Sequence, residues 1–286
     1  MKILVTGGAG FIGSHLCEEL VKNTNNSVYS LDNYSTGTKK NHVERVIYIQ
    51  GETRNIDNLI DFNPETVYHL GEYSRVEQSF DDIEKLWGSN KEGIFAVLQF
   101  CRKHSSKLVY AGSSTKFGDG GIGKNQSPYA WTKASNTELV KNYGDWFGLK
   151  FAITYFYNVY GGREISTGKY ATLIALFKEK YKNREPLTVV SPGTQLRNFT
   201  HIDDIISGLV MVGEKGSGDN YGIGCSKSFS ILDIANMFDT KIKMLPERKG
   251  NRMTSKVVCE KIKILGWSET KSVLNYIESV KNLTKW

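Results

Sequence analysis

Five residues near the middle of the chain, Tyr129-Ala130-Trp131-Thr132-Lys133, have the spacing richest in chemistry. Four positions along a helix is about one turn, so the phenol and the ammonium stand on one face. A neighbouring cation favours phenolate and lowers a tyrosine pKa that is otherwise about 10, which suits the phenol to general-base work near neutral pH. Of the fifteen tyrosines, only Tyr129 has a lysine four positions later. Ser127-Pro128, just before it, is a natural helix start. Such a pair also arises by chance, so its weight comes from its surroundings. Upstream, the run from Lys107 to Ala111 ends in Gly112-Ser113-Ser114-Thr115. These hydroxyls fall at the carboxyl end of a strand, where cofactor and substrate meet in open α/β sheets. There Ser113 can hydrogen-bond a reacting oxygen; taken alone it is equally a turn residue.

A second constellation lies at the start, where Thr6-Gly7-Gly8-Ala9-Gly10-Phe11-Ile12-Gly13 joins a short apolar run to a helical pattern. Gly7 permits a tight turn, Gly10 lets the backbone approach a pyrophosphate, and Gly13 lets helix and strand pack closely. Phe11 and Ile12 begin a helix whose N-terminus offers free N–H groups to phosphates. Asp32 ends the next apolar run. A carboxylate there binds both hydroxyls of the adenosine ribose and repels a 2′-phosphate, so NAD is expected rather than NADP. The plainer readings are a glycine turn without a ligand and a capping aspartate; placement after a strand and before a helix argues against both.

Ile3 to Val5, Val28 to Leu31, Val46 to Ile49, Thr66 to Leu70, Lys107 to Ala111 and Phe151 to Phe156 read as strands. Between them, helices are expected from Phe11 to Lys22, Ile56 to Asp61 and Asn90 to Lys103. That alternation predicts an α/β fold, a Rossmann-type doubly wound parallel sheet. Beyond Phe156 glycines and prolines punctuate shorter elements, which predicts a smaller α/β substrate-binding lobe. The boundary is expected near Asn158, giving a cofactor domain over 1–157 and a lobe over 158–286, some segments of which can return to the first domain. Ser272 to Trp286 reads as an amphipathic helix.

Bulk properties narrow the function. A chain of 286 residues with 40% apolar and 23% charged residues can bury a sizeable core. Its net charge of +7 is scattered, densest from Lys241 to Lys263 among acids and apolar residues, which does not suit nucleic-acid binding. A few of these cations are expected to grip a small phosphate-bearing substrate. The cysteines Cys17, Cys101, Cys225 and Cys259 have no metal-binding spacing and read as reduced thiols. The apolar start is too short for a secretion signal, and no stretch reaches the ~20 apolar residues of a membrane span. A soluble cytoplasmic protein without a metal is expected.

Taken together, the glycine turn, Asp32 and Tyr129-x-x-x-Lys133 resemble the extended short-chain dehydrogenase/reductase family, specifically its nucleotide-sugar epimerases and dehydratases. Asp32-Asn33-Tyr34-Ser35-Thr36-Gly37 is similar to the acid-led loop of the UDP-hexose 4-epimerases. The resemblance implies adenine contacts from Glu52 and Thr53, a nicotinamide-side strand running into Leu70 and Gly71, and a cofactor-side Asn90. In the second lobe it places Asn158, Arg197 and Arg248 at the substrate, the arginines on its diphosphate, with Ser114 beside the sugar. Arg248-Lys249-Gly250-Asn251 is similar to the family's Arg-x-Gly-Asp, with Asn for Asp. A homodimer through two helices per subunit, one carrying Tyr129, is also implied.

Departures are informative. The dehydratases carry Asp-Glu where this chain has Ser114 and Thr115, which disfavours dehydration. Glu72 stands where small residues are usual, either reaching substrate or cofactor or making a contact within the fold, and Lys116 replaces an apolar residue. The resulting expectation is an NAD-dependent nucleotide-sugar 4-epimerase: Tyr129 as base, Lys133 beside it, Ser113 orienting the oxygen, oxidation at C4 and hydride return to the other face. A net C4 dehydrogenase or 4-ketoreductase would use the same residues. A non-catalytic dinucleotide sensor is the alternative from another class.

Overall fold

The structure, a computed structural model, describes residues 1–247 and 252–284. Seven strands form one parallel sheet: β1 (Lys2–Thr6), β2 (Ser27–Asp32), β3 (Val46–Gln50), β4 (Thr66–His69), β5 (Lys107–Ser113), β6 (Phe151–Phe156) and β7 (Gly218–Ile223). Their order is β7-β6-β5-β4-β1-β2-β3, and every neighbouring pair runs parallel. This is the doubly wound Rossmann-type arrangement. The chain winds outward from β1 in one direction and restarts at β4 in the other, so a crevice opens at the carboxyl ends of β1 and β4. Central strands covered on both faces read as near-continuous apolar runs, as Ile3-Leu4-Val5 does.

Helices α1 (Phe11–Leu20) and α4 (Ile202–Lys215) cover one face of the sheet; α2 (Gly93–His104) and α3 (Pro128–Phe147) cover the other. One core gathers Leu16, Leu20, Ile205, Leu209 and Tyr221; the opposite core gathers Ile94, Leu98, Val140 and Tyr143. A third core, with Tyr160, Phe177, Val189, Phe238 and Ile277, belongs to the smaller lobe. There Leu187–Val190 pairs with Ile242–Leu245, and Leu196–Asn198 pairs with Ser228–Ser230.

Several elements differ from the sequence reading. Helix α2 begins at Gly93, and a turn of π-helix over Gly88–Glu92 precedes it and contains Asn90. The expected helix from Ile56 shortens to Ile56–Leu59, because Ile60 turns extended. Beyond Asn158, α4 packs on the large sheet and β7 joins its edge; β7 was not read as a strand, since Tyr221 and Ile223 are its only large apolar residues. The C-terminal amphipathic pattern forms helix Val273–Leu283, burying Val273, Ile277 and Val280.

Candidate active site

At the carboxyl end of β1 the chain turns through Gly7 with φ +74°, a left-handed conformation that favours glycine. A Cβ on Gly13 would stand 2.1 Å from the Gly7 carbonyl oxygen, so helix and turn can approach this closely only without one. The corresponding position on Gly10 meets nothing nearer than the Gly7 oxygen at 3.2 Å, leaving that side of the turn open. Asp32, 6% exposed, accepts the Ala9 N–H at 2.9 Å through Oδ2 and the Tyr34 N–H at 2.7 Å through Oδ1. Burial raises its pKa while these two N–H donors pull it back. Each oxygen keeps a further lone pair for a ligand hydroxyl. A glycine-rich turn, a helix N-terminus and a half-used carboxylate together fit a dinucleotide.

The carboxyl ends of β4 and β5 and the start of α3 meet beside that turn. Helix α3 starts where the Ser127 hydroxyl accepts the Ala130 N–H at 3.1 Å and Pro128 opens the first turn. This fixes Tyr129 and Lys133 on the helix's first turns. The Tyr129 N–H donates to Ser79 Oγ at 3.2 Å, and the Ser113 hydroxyl lies 2.9 Å from that of Thr115. Lys133, 5% exposed, donates to the Ala111 carbonyl and to Glu72.

Glu72 is held from several sides. Tyr110 donates its hydroxyl to Oε2 at 3.0 Å, Asn136 donates to Oε1 at 3.1 Å, and His69 Nε2 lies 3.7 Å from Oε1. Burial alone would raise this carboxyl; the Lys133 charge and His69 outweigh it and bring it from 4.5 down to about 2. Glu72 therefore faces the cleft and also serves as counter-ion to Lys133.

One cleft of about 910 Å³ unites these groups. Gly7, Gly10, Phe11, Ile12, Gly13, Asp32, Asn33, Ser35, Thr36, Glu52, Thr53, Leu70 and Gly71 line one part of it. Ser113, Ser114, Tyr129, Lys133, Asn158 and Arg197 are among the residues lining another part. Asn158 donates to the Asn198 carbonyl at 3.0 Å. Arg197 donates to the Arg252 carbonyl at 2.7 Å; burial, then repulsion from Arg252, lowers its pKa to about 10.

Two expected cofactor residues do not line the cleft. Gly37 packs behind Asp32, where a Cβ would meet Oδ1 at 2.9 Å. Asn90 is fully buried and spends its amide on the Tyr73 backbone, accepting at 2.7 Å and donating at 3.0 Å. Arg248, with the rest of Arg248-Lys249-Gly250-Asn251, lies outside the described residues. Lys116 turns away, donating to the Tyr155 hydroxyl at 2.7 Å with Asp219 3.5 Å off. Among the cleft cations that the sequence reading missed are Arg75 and Arg252. Arg75 donates to the Tyr170 carbonyl at 2.6 Å, a contact across 95 positions that no local pattern announces.

Comparison with known proteins agrees with this geometry. The NAD dependent epimerase/dehydratase family matches residues 3–224. The uncharacterized UDP-glucose epimerase YtcB of Bacillus subtilis (strain 168) is 30% identical over 262 residues, 84% of this chain and 81% of that protein. UDP-glucuronic acid decarboxylase 6 of Arabidopsis thaliana is 28% identical, over 93% of this chain and 84% of its own. Among solved structures, the UDP-glucose 4-epimerase of Thermus thermophilus in complex with NAD superposes with a TM-score of 0.87 at 25% identity, covering 99% of both chains.

Proposed function

Because this chain belongs to the NAD dependent epimerase/dehydratase family and NAD is its cofactor, we propose that it is a nucleotide-sugar 4-epimerase. The observation that carries the reading is the single cleft that Ser113, Tyr129 and Lys133 share with the glycine turn and Asp32. Bound there, NAD supplies reversible hydride acceptance at sugar C4. Tyr129 takes the C4 hydroxyl proton as general base, and Lys133, one turn further along α3, keeps a cation on the same helical face. Ser113 donates a hydrogen bond to the C4 oxygen and holds it toward the phenol. The 4-keto sugar turns within the cleft, and Tyr129 returns the proton once C4 is reduced on its other face. Asn158, Ser114 and Arg197 hold the sugar and its diphosphate, the guanidinium matching phosphate oxygens.

Ser114 and Thr115 supply no acid beside Ser113, which speaks against elimination of water. Two copies pair through the helix that carries Tyr129, and the free, mostly buried cysteines suit a reducing cytoplasm. Among the described residues no helix is long and apolar enough to cross a membrane.

The test is product analysis. UDP-, GDP-, dTDP- and CDP-hexoses are incubated with enzyme and NAD, and products are resolved by NMR. A C4 epimer without net NADH is expected. A released keto sugar with stoichiometric NADH would instead identify a dehydrogenase, and no conversion of any nucleotide sugar would remove the reading.

A further inference from the structure

Arg252 is the most buried cation in the cleft that the proposed reaction leaves without work. It is 8% exposed, and its Nη2 donates to the Ser114 hydroxyl at 3.4 Å. Nη1 is buried and has no hydrogen-bond partner among the described residues. Nor does Arg252 form an ion pair among them. The acid that acts on it, Asp119, is engaged elsewhere: it accepts the Thr254 N–H at 2.7 Å, Gln126 Nε2 at 2.9 Å and the Met253 N–H at 3.1 Å. Burial lowers the Arg252 pKa, and the phenols of Tyr157 and Tyr129 pull it back.

A buried guanidinium with an orphaned nitrogen is costly unless something in the functional state supplies an anion. Two anions can enter this cleft, the diphosphate of the nucleotide and an acidic group on the sugar. Position separates them. Ser114 directly follows Ser113, which receives the C4 oxygen in the proposed reaction. On a pyranose C4 is flanked by C3, which carries a neutral hydroxyl, and by C5 with its exocyclic C6, whereas C1 and the diphosphate lie across the ring. A guanidinium bonded to the residue next to Ser113 is thus at the C4 end of the ring, where the position that can carry an acid is C6. A carboxylate is planar and accepts two parallel N–H bonds from such a fork.

We infer that Arg252 binds a carboxylate at C6 of the sugar, so that the preferred substrate is a nucleotide-linked uronic acid rather than a neutral hexose. The inference rests on the 4-epimerase reading and specifies its substrate class. The C6 carboxylate stays intact through the reaction. Its role is to pair with the buried charge and to fix the ring with C4 facing Tyr129.

The experiment compares kcat/KM for UDP-glucuronic acid and UDP-glucose in the wild type and in Arg252→Gln and Arg252→Lys. The wild type is expected to prefer the uronic acid. In Arg252→Gln the ratio of the two values should fall on the order of 100-fold, chiefly through KM for the acid. Arg252→Lys keeps the charge without the fork and should fall between. Preference of the wild type for UDP-glucose overturns the inference and leaves the epimerase reading intact. Equal losses on both substrates in Arg252→Gln also overturn it, assigning the arginine to the diphosphate. Should Arg252→Gln fail to fold, the wild-type preference and the Lys variant decide. Failure to turn over any nucleotide sugar removes the epimerase reading itself.

Discussion

Glu72 has the strongest demand on its surroundings of any single residue in the cleft. Its side chain is 3% exposed and charged, and Lys133, Tyr110, Asn136 and His69 converge on it. Lys91, which donates to Asn136 Oδ1 at 2.9 Å, adds a second positive field. Because the folded-state pKa is depressed from 4.5 to about 2, the stabilisation is present above pH 4.5 and is lost as pH falls toward 2. Glu72→Gln leaves Lys133 buried without its counter-ion and should lower stability at neutral pH by about 3–5 kcal/mol, the usual cost of breaking a buried pair. Its unfolding midpoint should decline less on acidification than the wild type's. Chemical denaturation across the pH range measures both, and parallel curves would contradict the account. At this scale the sequence showed that Glu72 was unusual but could not show its partners, since His69, Tyr110, Lys133 and Asn136 come from three separate elements. Asn90 shows the same limit: a family position suggested a ligand contact, while its bonds to the Tyr73 backbone could be read only from the fold.

Helix α3 has two faces with different work. Tyr129 and Lys133 line the cleft, while Trp131, two residues away and so on roughly the opposite side, is 47% exposed. Trp131 stacks on Trp87 with ring centroids 6.2 Å apart, and Trp87 is also 47% exposed. Large apolar groups left open beside the helix that carries Tyr129 suit the proposed pairing of two copies. Light scattering should give a dimer, and Trp131→Glu should shift it toward monomer; a wild-type monomer would contradict the pairing. Elements with caps or strong patterns were the legible ones. Ser127-Pro128 announced the start of α3, and short apolar runs announced β1, β2 and β6. The π-helical turn before α2 and the glycine-rich β7 carried no comparable signal, because tertiary packing decides them.

The two lobes meet over the cleft through contacts distant in sequence. Asp82 Oδ2 accepts the hydroxyls of Tyr73 and Tyr170, each at 2.9 Å, and Lys169 adds its ammonium at 3.0 Å. Arg75 reaches the Tyr170 carbonyl over the same gap. These bonds tie the segment after β4 to the segment before the helix Leu173–Lys182, and in the proposed reaction they would enclose the sugar. The parallel sheet and its glycine turn were readable from alternation and spacing, but this latch was not, because it joins loops of unremarkable composition. Enclosure matters to the central claim, since a keto sugar must turn over and be reduced before it escapes. The most direct measurement uses a nucleotide sugar carrying deuterium at C4, incubated with enzyme and NAD and analysed by NMR. The account predicts the C4 epimer with deuterium retained at C4 and no net NADH. An epimer whose C4 label has been lost to solvent would contradict it.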